Sequence, residues 1–155
     1  MVSRIPVPAA IAAVLEQSLK ITSLPVQWGD QDAFGHVNNV VYFRWFESAR
    51  VDVLEVFQPT LGLNNTGIGP ILASIHCHYR RQLYSPDVVH IGSRITRIGR
   101  SSLDISHVVC SENQNQMVAE GVSVLVIYDY PSGRHIRIPE TLRRQLDAVS
   151  AMPQQ

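Results

Sequence analysis

Residues 28–50 read WGDQDAFGHVNNVVYFRWFESAR, and this stretch decides how the rest of the chain is interpreted. It opens with two carboxylates, Asp30 and Asp32, followed by a glycine, a histidine and two asparagines. A run rich in Tyr, Phe and Trp follows without Gly or Pro, which favours a helix that is apolar on most faces and therefore buried. Polar, ionisable side chains thus come directly before the start of a buried helix. This arrangement predicts an active site.

The N-terminal half of the chain is expected to contain two helices and one strand. Helix formers with apolar residues at helical spacing indicate the first helix, and β-branched residues indicate the strand, where Pro25 favours a sheet edge. Asn38 or Asn39 suits the N-cap of the long second helix. In chain order, the predicted elements are helix 9–20, strand 21–28 and helix 40–57.

After a loop at residues 62–70, apolar and polar residues alternate with the period of two that is typical of strands. Polar turns divide this part into four consecutive strands, which we expect to be joined as hairpins. The predicted elements are strands 71–80, 89–96, 103–110 and 117–130, a short piece 135–138 and a terminal helix 140–149. One buried helix followed by an antiparallel sheet indicates the α+β class.

Length and composition predict a single domain over residues 1–155, with a core at about 21–138 and a flexible arm at 1–8. The formal net charge of zero gives no global attraction to nucleic acid or to a membrane. No signal-like segment or long apolar span is present, so a cytoplasmic location is expected. Cys77 and Cys110 lie in apolar runs and are expected to be buried free thiols, with a disulfide left open.

The string DQDAFGHVNNVVY at residues 30–42, continued by Trp45, Glu47 and Arg50, resembles acyl-CoA thioesterases of the hotdog fold. The group it resembles most is the 4-hydroxybenzoyl-CoA thioesterase-like family. The resemblance implies an antiparallel β-sheet wrapped around one long buried helix, to which this chain adds N- and C-terminal helices. It also implies homo-oligomers, either dimers joined through their sheet edges or tetramers formed from two such dimers, with the active sites at the subunit interface.

The resemblance also assigns catalytic roles. Asp32 matches the family's catalytic aspartate, which acts as a general base on water or as the nucleophile, and both routes stay open. Thioester cleavage needs a donor for the oxyanion that develops on the carbonyl. In the family that donor is a backbone N–H at the start of the buried helix, which falls on Asn39 here. His36 matches an orienting or proton-transferring histidine of plant acyl-carrier-protein thioesterases, although Phe34 replaces an asparagine of their pattern.

Further residues are candidates for binding the acyl-CoA substrate. Aromatic residues of the long helix are expected to form the core or the wall of the acyl pocket, and Asn38 to position water or cap the helix. The family often holds the nucleotide phosphates near the turn at residues 97–102. The substrate-binding candidates are Asn38, Tyr42, Phe46, Glu47, Arg97, Arg100, Ser101 and Ser102.

Asp30 and Asp32 also have an ordinary explanation, because Asp is common in turns for structural reasons. We expect Asp30 to be such a structural residue and Asp32 to be the functional one.

The strand at residues 71–80 carries a candidate metal site. His76 and His78 alternate on one face of this strand, which is how some zinc sites begin. His90 or His107 would have to supply a third ligand. No Cys or acidic ligand joins at close spacing, so neither a metal nor another cofactor is expected.

Two other functions compete with thioester hydrolysis. A hotdog dehydratase or hydratase would act on a 3-hydroxyacyl thioester without releasing a thiol. A non-catalytic sensor would bind acyl-CoA without turnover, since the fold also serves ligand-binding domains. Asp32 and the lack of an attached DNA-binding segment favour the hydrolase.

Overall fold

The computed structural model describes residues 5–61 and 67–150. Its α-helices are α1 (Ala9–Leu15), α2 (Asn39–Leu54) and α3 (Glu140–Ser150), and single 3₁₀ turns cover Trp28–Asp30 and Glu55–Phe57. The strands are β1 (Lys20–Val26), β2 (Ile68–Tyr79), β3 (Asp87–Ile98), β4 (Ser102–Ser111), β5 (Gln116–Asp129) and β6 (Arg134–His135).

The strands form one antiparallel sheet in the order β1-β3-β4-β5-β2, with β6 paired to β5. The sheet curls around α2, so the prediction of an antiparallel sheet wrapped around one long buried helix is confirmed. β1 is an edge strand, as Pro25 indicated. At the other edge, β2 has one neighbour among the described strands, β5.

The prediction that the four strands after α2 are joined as hairpins is wrong for the first connection. β2 pairs with β5, and β3 lies between β1 and β4. The connection from β2 to β3 therefore crosses from the β2 edge of the sheet to the strand next to the β1 edge. The physical reason for the error is that the alternation of apolar and polar residues identifies a strand but carries no information about which strand it pairs with.

Close packing between α2 and the sheet depends on Phe46 and Gly121. Phe46 is fully buried, and its ring stacks on His107 of β4 with 4.6 Å between ring centroids. A Cβ atom on Gly121 of β5 would lie 2.6 Å from Cε2 of Phe46 and 2.3 Å from the carbonyl oxygen of His76. The missing side chain on β5 is therefore what allows this aromatic ring to reach the sheet.

Several element boundaries differ from their predicted positions. α1 ends at Leu15, because the Leu19 N–H already donates to Ser93 O of β3 and the chain continues as a strand. Trp28 belongs to a 3₁₀ turn rather than to the strand before it. α2 tightens into the 3₁₀ turn Glu55–Phe57 over its last predicted residues. Residues 1–4 of the predicted arm and 62–66 of the predicted loop lie outside the described residues.

The opposite face of the sheet is covered in part by α1, whose Ile11 and Leu15 pack on Cys110. Cys77 and Cys110 are free thiols, the first half-buried and the second buried. Burial raises the pKa of each thiol to about 11. Over residues 5–61 and 67–150, no helix is long and apolar enough to cross a membrane.

We predict that Gly121→Ala destabilises the fold by about 1–3 kcal/mol, because the added methyl group meets both a backbone oxygen and the Phe46 ring. Gly29→Ala is the matched control, since a Cβ there has no neighbour within 4 Å, and we expect a change within about 0.5 kcal/mol. Urea unfolding of both variants measures the effect. If Gly121→Ala and Gly29→Ala unfolded at the same urea concentration, the packing assigned to Phe46 and Gly121 would be contradicted.

Candidate active site

The loop between β1 and α2 presents Asp32. It is closed by a bridge between Gln31 and Val37, and the Asp32 N–H donates to His36 O at 2.8 Å. Gly35 has a φ of +80°, in the region that favours glycine, and its N–H donates to Asp32 O at 3.0 Å. Residues 32–35 therefore fold as a tight turn that holds the aspartate backbone in place.

The carboxylate of Asp32 is held on one side only. Its Oδ1 accepts the Phe34 N–H at 2.8 Å, which is the contact of an Asx turn. The other carboxylate oxygen has no hydrogen-bond partner among the described residues. Asp32 is thus oriented by its own loop and keeps one oxygen available for a substrate or a water molecule.

The N-terminus of α2 follows directly. Asn38 is the N-cap, and its Oδ1 accepts the Val40 N–H at 3.1 Å. Asn39 is the first helical residue, and its N–H has no acceptor among the residues that the structure describes. A free N–H at this position points along the positive end of the helix dipole, where it favours a developing negative charge.

Asp30 has the structural role that the sequence predicts. It is buried, its Oδ2 accepts the Gln27 N–H at 2.9 Å, and its Oδ1 pairs with Arg44 of α2 at 3.0 Å. Its carbonyl oxygen also accepts the Asn38 N–H at 2.8 Å. Asp30 therefore ties the loop to the start of α2, and its carboxylate is occupied by these partners.

Tyr79 is a neighbour of the site that the sequence did not reveal. It lies at the end of β2, its hydroxyl donates to Asn39 O at 3.0 Å, and its ring packs edge-on against Tyr42 at 5.0 Å. Burial raises the pKa of Tyr79, which keeps the hydroxyl protonated as a donor. The strand periodicity placed Tyr79 on β2, but a contact between residues so far apart in sequence requires knowledge of the fold.

His36 is half-buried in the same loop as Asp32, the Asp32 loop, residues 31–38. Its ring packs edge-on against Tyr84 with 5.2 Å between centroids. Within the described residues, the imidazole has no hydrogen-bond partner. The structure therefore places His36 in the same loop as Asp32 without joining its ring to the Asp32 carboxylate.

Large apolar side chains around this loop and helix start are exposed. Phe34 and Trp28 are 85% and 83% exposed, which is unusual for aromatic residues in a folded chain. Exposed apolar side chains on both sides of Asp32 in the chain mark a candidate interaction surface. Its members are Trp28, Phe34, Val40, Tyr79 and Tyr84.

The remaining candidates on α2 lie apart from Asp32. Tyr42 and Phe46 are buried in the core, and burial raises the pKa of Tyr42. Glu47 is exposed and lines a cleft of about 610 Å³ together with Asp30 and Arg44. Asp32 does not line this cleft.

The arginine candidates lie at the far end of β3. Arg97 makes a bidentate pair with Asp104 at 2.8 and 2.7 Å and also donates to Ser102 Oγ at 3.1 Å. These bonds raise the pKa of Arg97 and occupy its guanidinium. The Arg100 side chain is exposed and has no partner among the described residues, so it is the available cation of the β3–β4 turn, residues 99–101.

Asp32 and the β3–β4 turn are separated within one chain. The Asp32 loop is anchored just before β3, where the Val37 N–H donates to Leu83 O. β3 has 12 residues, so the turn that follows it is about 40 Å away along the strand. Relative to β2, the Asp32 loop lies at the end of the sheet near Tyr79, and the β3–β4 turn lies at the opposite end, near Ile68.

A buried polar network lies under α2. Arg50 donates to Ser123 Oγ at 3.2 Å, and Ser123 Oγ lies 2.9 Å from His107 Nε2. On the other side of the ring, His107 Nδ1 is 2.7 Å from Ser93 Oγ. Burial, with the nearby Arg50 charge, lowers the pKa of His107 to about 3, so this histidine is neutral.

Neither His90 nor His107 is placed to act as a third ligand beside His76 and His78. His76 and His78 lie together on the exposed face of β2, with 5.3 Å between ring centroids. His90 and His107 are both fully buried and are bonded to serines. Among the described residues, no group of three or more His, Cys, Asp or Glu side chains is placed to hold a metal ion.

The fold and the site together define a hotdog enzyme of the thioester hydrolase class. The sequence profile of the thioesterase-like superfamily matches residues 26–146. The chain belongs to this superfamily.

Individual relatives agree with this assignment. The long-chain acyl-CoA thioesterase FadM of Escherichia coli is 27% identical over 128 residues, which are 83% of this chain and 97% of FadM. A thioesterase of Thermus thermophilus, solved in complex with coenzyme A and zinc, is 30% identical with a TM-score of 0.75, covering 89% of this chain and 98% of that one. The PA5185 protein of Pseudomonas aeruginosa PAO1 is 30% identical with a TM-score of 0.74, covering 87% and 94%.

We predict that His107 makes the stability fall as the pH decreases. The pKa of His107 is about 3 in the folded chain and 6.5 for an ordinary histidine, so between these values the unfolded chain binds a proton that the folded chain does not. His107→Gln removes this contribution, which is at most about 1.4 kcal/mol per pH unit. Urea unfolding at about pH 7 and about pH 5 compares the two proteins. If the free energy of unfolding of the wild type minus that of the variant were the same at both pH values, the prediction would be contradicted.

Proposed function

We propose that the protein hydrolyses acyl-CoA thioesters to a free carboxylic acid and coenzyme A, with Asp32 as the catalytic group. One observation carries this proposal: a carboxylate with a free oxygen lies in the short loop that leads into a helix beginning with a free N–H. FadM is a long-chain acyl-CoA thioesterase, and the Thermus relative binds coenzyme A, which supports acyl-CoA as the substrate class. Within the superfamily, we assign the chain to the 4-hydroxybenzoyl-CoA thioesterase-like group.

The thioester carbonyl oxygen accepts the Asn39 N–H, which stabilises the oxyanion as the carbonyl carbon becomes tetrahedral. The free oxygen of Asp32 removes a proton from the attacking water, or attacks the carbon itself to give an anhydride that water then opens. In either route the C–S bond breaks and coenzyme A leaves as the thiol. His36 is assigned to proton transfer or to orienting the substrate, and Asn38 holds the helix start.

We propose that the working form is a homo-oligomer, a dimer or a dimer of dimers, and we favour the homotetramer. An edge strand with unpaired backbone groups is a template for pairing with another chain. Among the described strands, β2 has only β5 beside it, and the exposed apolar surface around Asp32 adjoins its Tyr79 end. We also propose a cytoplasmic location and no membrane insertion.

If the β2 strands of two copies pair in antiparallel orientation, Asp32 and Arg100, which are far apart within one chain, come together between the two copies. In such a pair the Tyr79 end of one strand meets the Ile68 end of the other. The Asp32 loop of one copy then lies beside the β3–β4 turn of the second copy, where Arg100 is the available cation. We propose that this turn, with Arg100, Ser101 and Ser102, binds the nucleotide phosphates while Asp32 of the other copy acts on the thioester.

Asp32→Asn is predicted to lower kcat by about 10²-fold or more, because the amide keeps an acceptor for the Phe34 N–H but is neither a base nor a nucleophile. Thiol release from a panel of acyl-CoA chain lengths measures activity and separates hydrolysis from hydration, which frees no thiol. Asp147→Asn on the exposed side of α3 is the matched control and should behave as wild type. Full activity of Asp32→Asn, or a wild type inactive on every chain length, would refute the proposal.

Arg100→Gln is predicted to raise KM for acyl-CoA by roughly 10-fold, the value of one charge-assisted hydrogen bond to phosphate. KM for the matching acyl-pantetheine thioester, which lacks the nucleotide, should not change. Arg144→Gln is the control, since Arg144 is exposed and pairs with Glu140 of its own helix. Equal changes on both substrates would show that Arg100 does not recognise the nucleotide.

A further inference from the structure

Ser23, His90 and Glu112 form a hydrogen-bonded chain that the proposed thioesterase mechanism does not use. Ser23 Oγ of β1 is 2.7 Å from His90 Nδ1, and His90 Nε2 is 3.1 Å from Glu112 Oε2. His90 is fully buried on β3, whereas the Glu112 side chain is 40% exposed at the end of β4. Serine, imidazole and carboxylate in this order are the parts of an activated nucleophile.

The carboxylate sets the direction of these hydrogen bonds. An ionised carboxylate only accepts, so Nε2 of His90 carries the proton and donates it to Glu112. In a neutral imidazole the other nitrogen, Nδ1, then has a free lone pair. With His90 neutral, the Ser23 hydroxyl donates its hydrogen bond to Nδ1, which is the arrangement in which a histidine acts as a base on a serine.

The register of the sheet adds a donor beside the hydroxyl. The Glu112 N–H donates to Val88 O, and the Leu19 N–H donates to Ser93 O. Backbone groups alternate sides along a strand, so those of His90 face β4. Ser23 lies opposite His90, and its own N–H therefore points away from β3 at the open edge of the sheet. The structure gives this N–H no acceptor among the described residues.

A cavity gives access to Ser23. Its volume is about 860 Å³, and it lies between the N-terminal segment and the β1 edge. Apolar side chains such as Ile5, Val7 and Ile21 share its wall with the charged side chains Lys20, Asp52 and Glu55. No residue of the Asp32 loop lines it. The cavity is thus separate from the site assigned to the thioesterase reaction.

We propose that Ser23 is the nucleophile of a second acyl-transfer site, which takes apolar acyl groups from activated esters such as aryl esters. The Ser23 Oγ forms a bond to the acyl carbon, and its proton passes to His90 Nδ1. The ester C–O bond breaks, and the proton on His90 moves to the departing aryl oxide, which leaves as the phenol. The Ser23 N–H stabilises the oxyanion, and Glu112 stabilises the imidazolium. Water then releases the acyl group as the acid by the reverse proton path.

Ser93 and His107 provide an internal comparison. Their hydrogen bond has the same 2.7 Å length, but Ser93 is 1% exposed and His107 bonds to Ser123 in place of a carboxylate. The Ser93 hydroxyl is closed off from solvent and the pair has no acidic partner, so it should be unreactive. Ser93 is therefore the matched control for Ser23.

The test is covalent labelling with an alkyl fluorophosphonate, followed by peptide mass spectrometry. In this reaction the Oγ–P bond forms, the P–F bond breaks, and fluoride leaves with the proton taken by His90. We expect one adduct per chain, on Ser23, at a rate that Ser93→Ala leaves unchanged. Glu112→Gln should slow the labelling by about 10-fold or more, since it removes the carboxylate that supports the base.

Each outcome decides the proposal. Absence of a Ser23 adduct under conditions that label a known serine hydrolase would overturn it, as would an equal rate in Glu112→Gln. Labelling spread evenly over several serines would also overturn it. Asp32→Asn should keep the Ser23 adduct, so the result does not depend on whether the thioesterase proposal holds.

Discussion

The structure depends on burying α2, a helix that carries large apolar side chains around most of its surface. A single sheet face cannot cover such a helix, so the sheet has to curl around it. The contact between Phe46, His107 and the bare backbone at Gly121 sets how closely helix and sheet approach. Once α2 is seated in this way, its N-terminus must emerge at the end of the sheet where the Asp32 loop closes.

The same burial brings polar groups into the core, and these groups restrict how α2 is rotated. Arg50 follows Phe46 by one helical turn and is itself 9% exposed. Burial lowers the pKa of Arg50, and Ser123 supplies a hydrogen-bond acceptor for it. A slip of the helix would leave this guanidinium without its acceptor in the core, which is costly. The Arg50–Ser123–His107 network therefore specifies one orientation of the helix as well as contributing contacts.

Local sequence patterns predicted most of the helices and strands, whereas contacts between residues far apart in sequence could be identified only from the structure. Periodicity identified α2, α3 and four strands, and the motif at residues 30–42 identified the fold family. Periodicity carries no information about which strands pair, so the β2–β5 neighbourhood and the Tyr79–Asn39 bond could not be inferred. The sequence also indicated that Asp30 and Asp32 differ in role, and the structure supplies the reason for Asp30, whose carboxylate is taken by Arg44 and Gln27.

The position of Asp32 and Arg100 at opposite ends of β2 follows from the antiparallel sheet itself. A turn that follows β3 must lie at the end of the sheet opposite the loop that precedes it. A substrate with its reactive carbonyl at one place and its phosphates at another would therefore have to stretch along a whole strand of one chain. Pairing two copies in opposite directions shortens that distance without moving either residue within its own chain. In the proposed dimer, the edge position of β2 is what allows the two ends to meet, because a central β2 could not pair with a second copy.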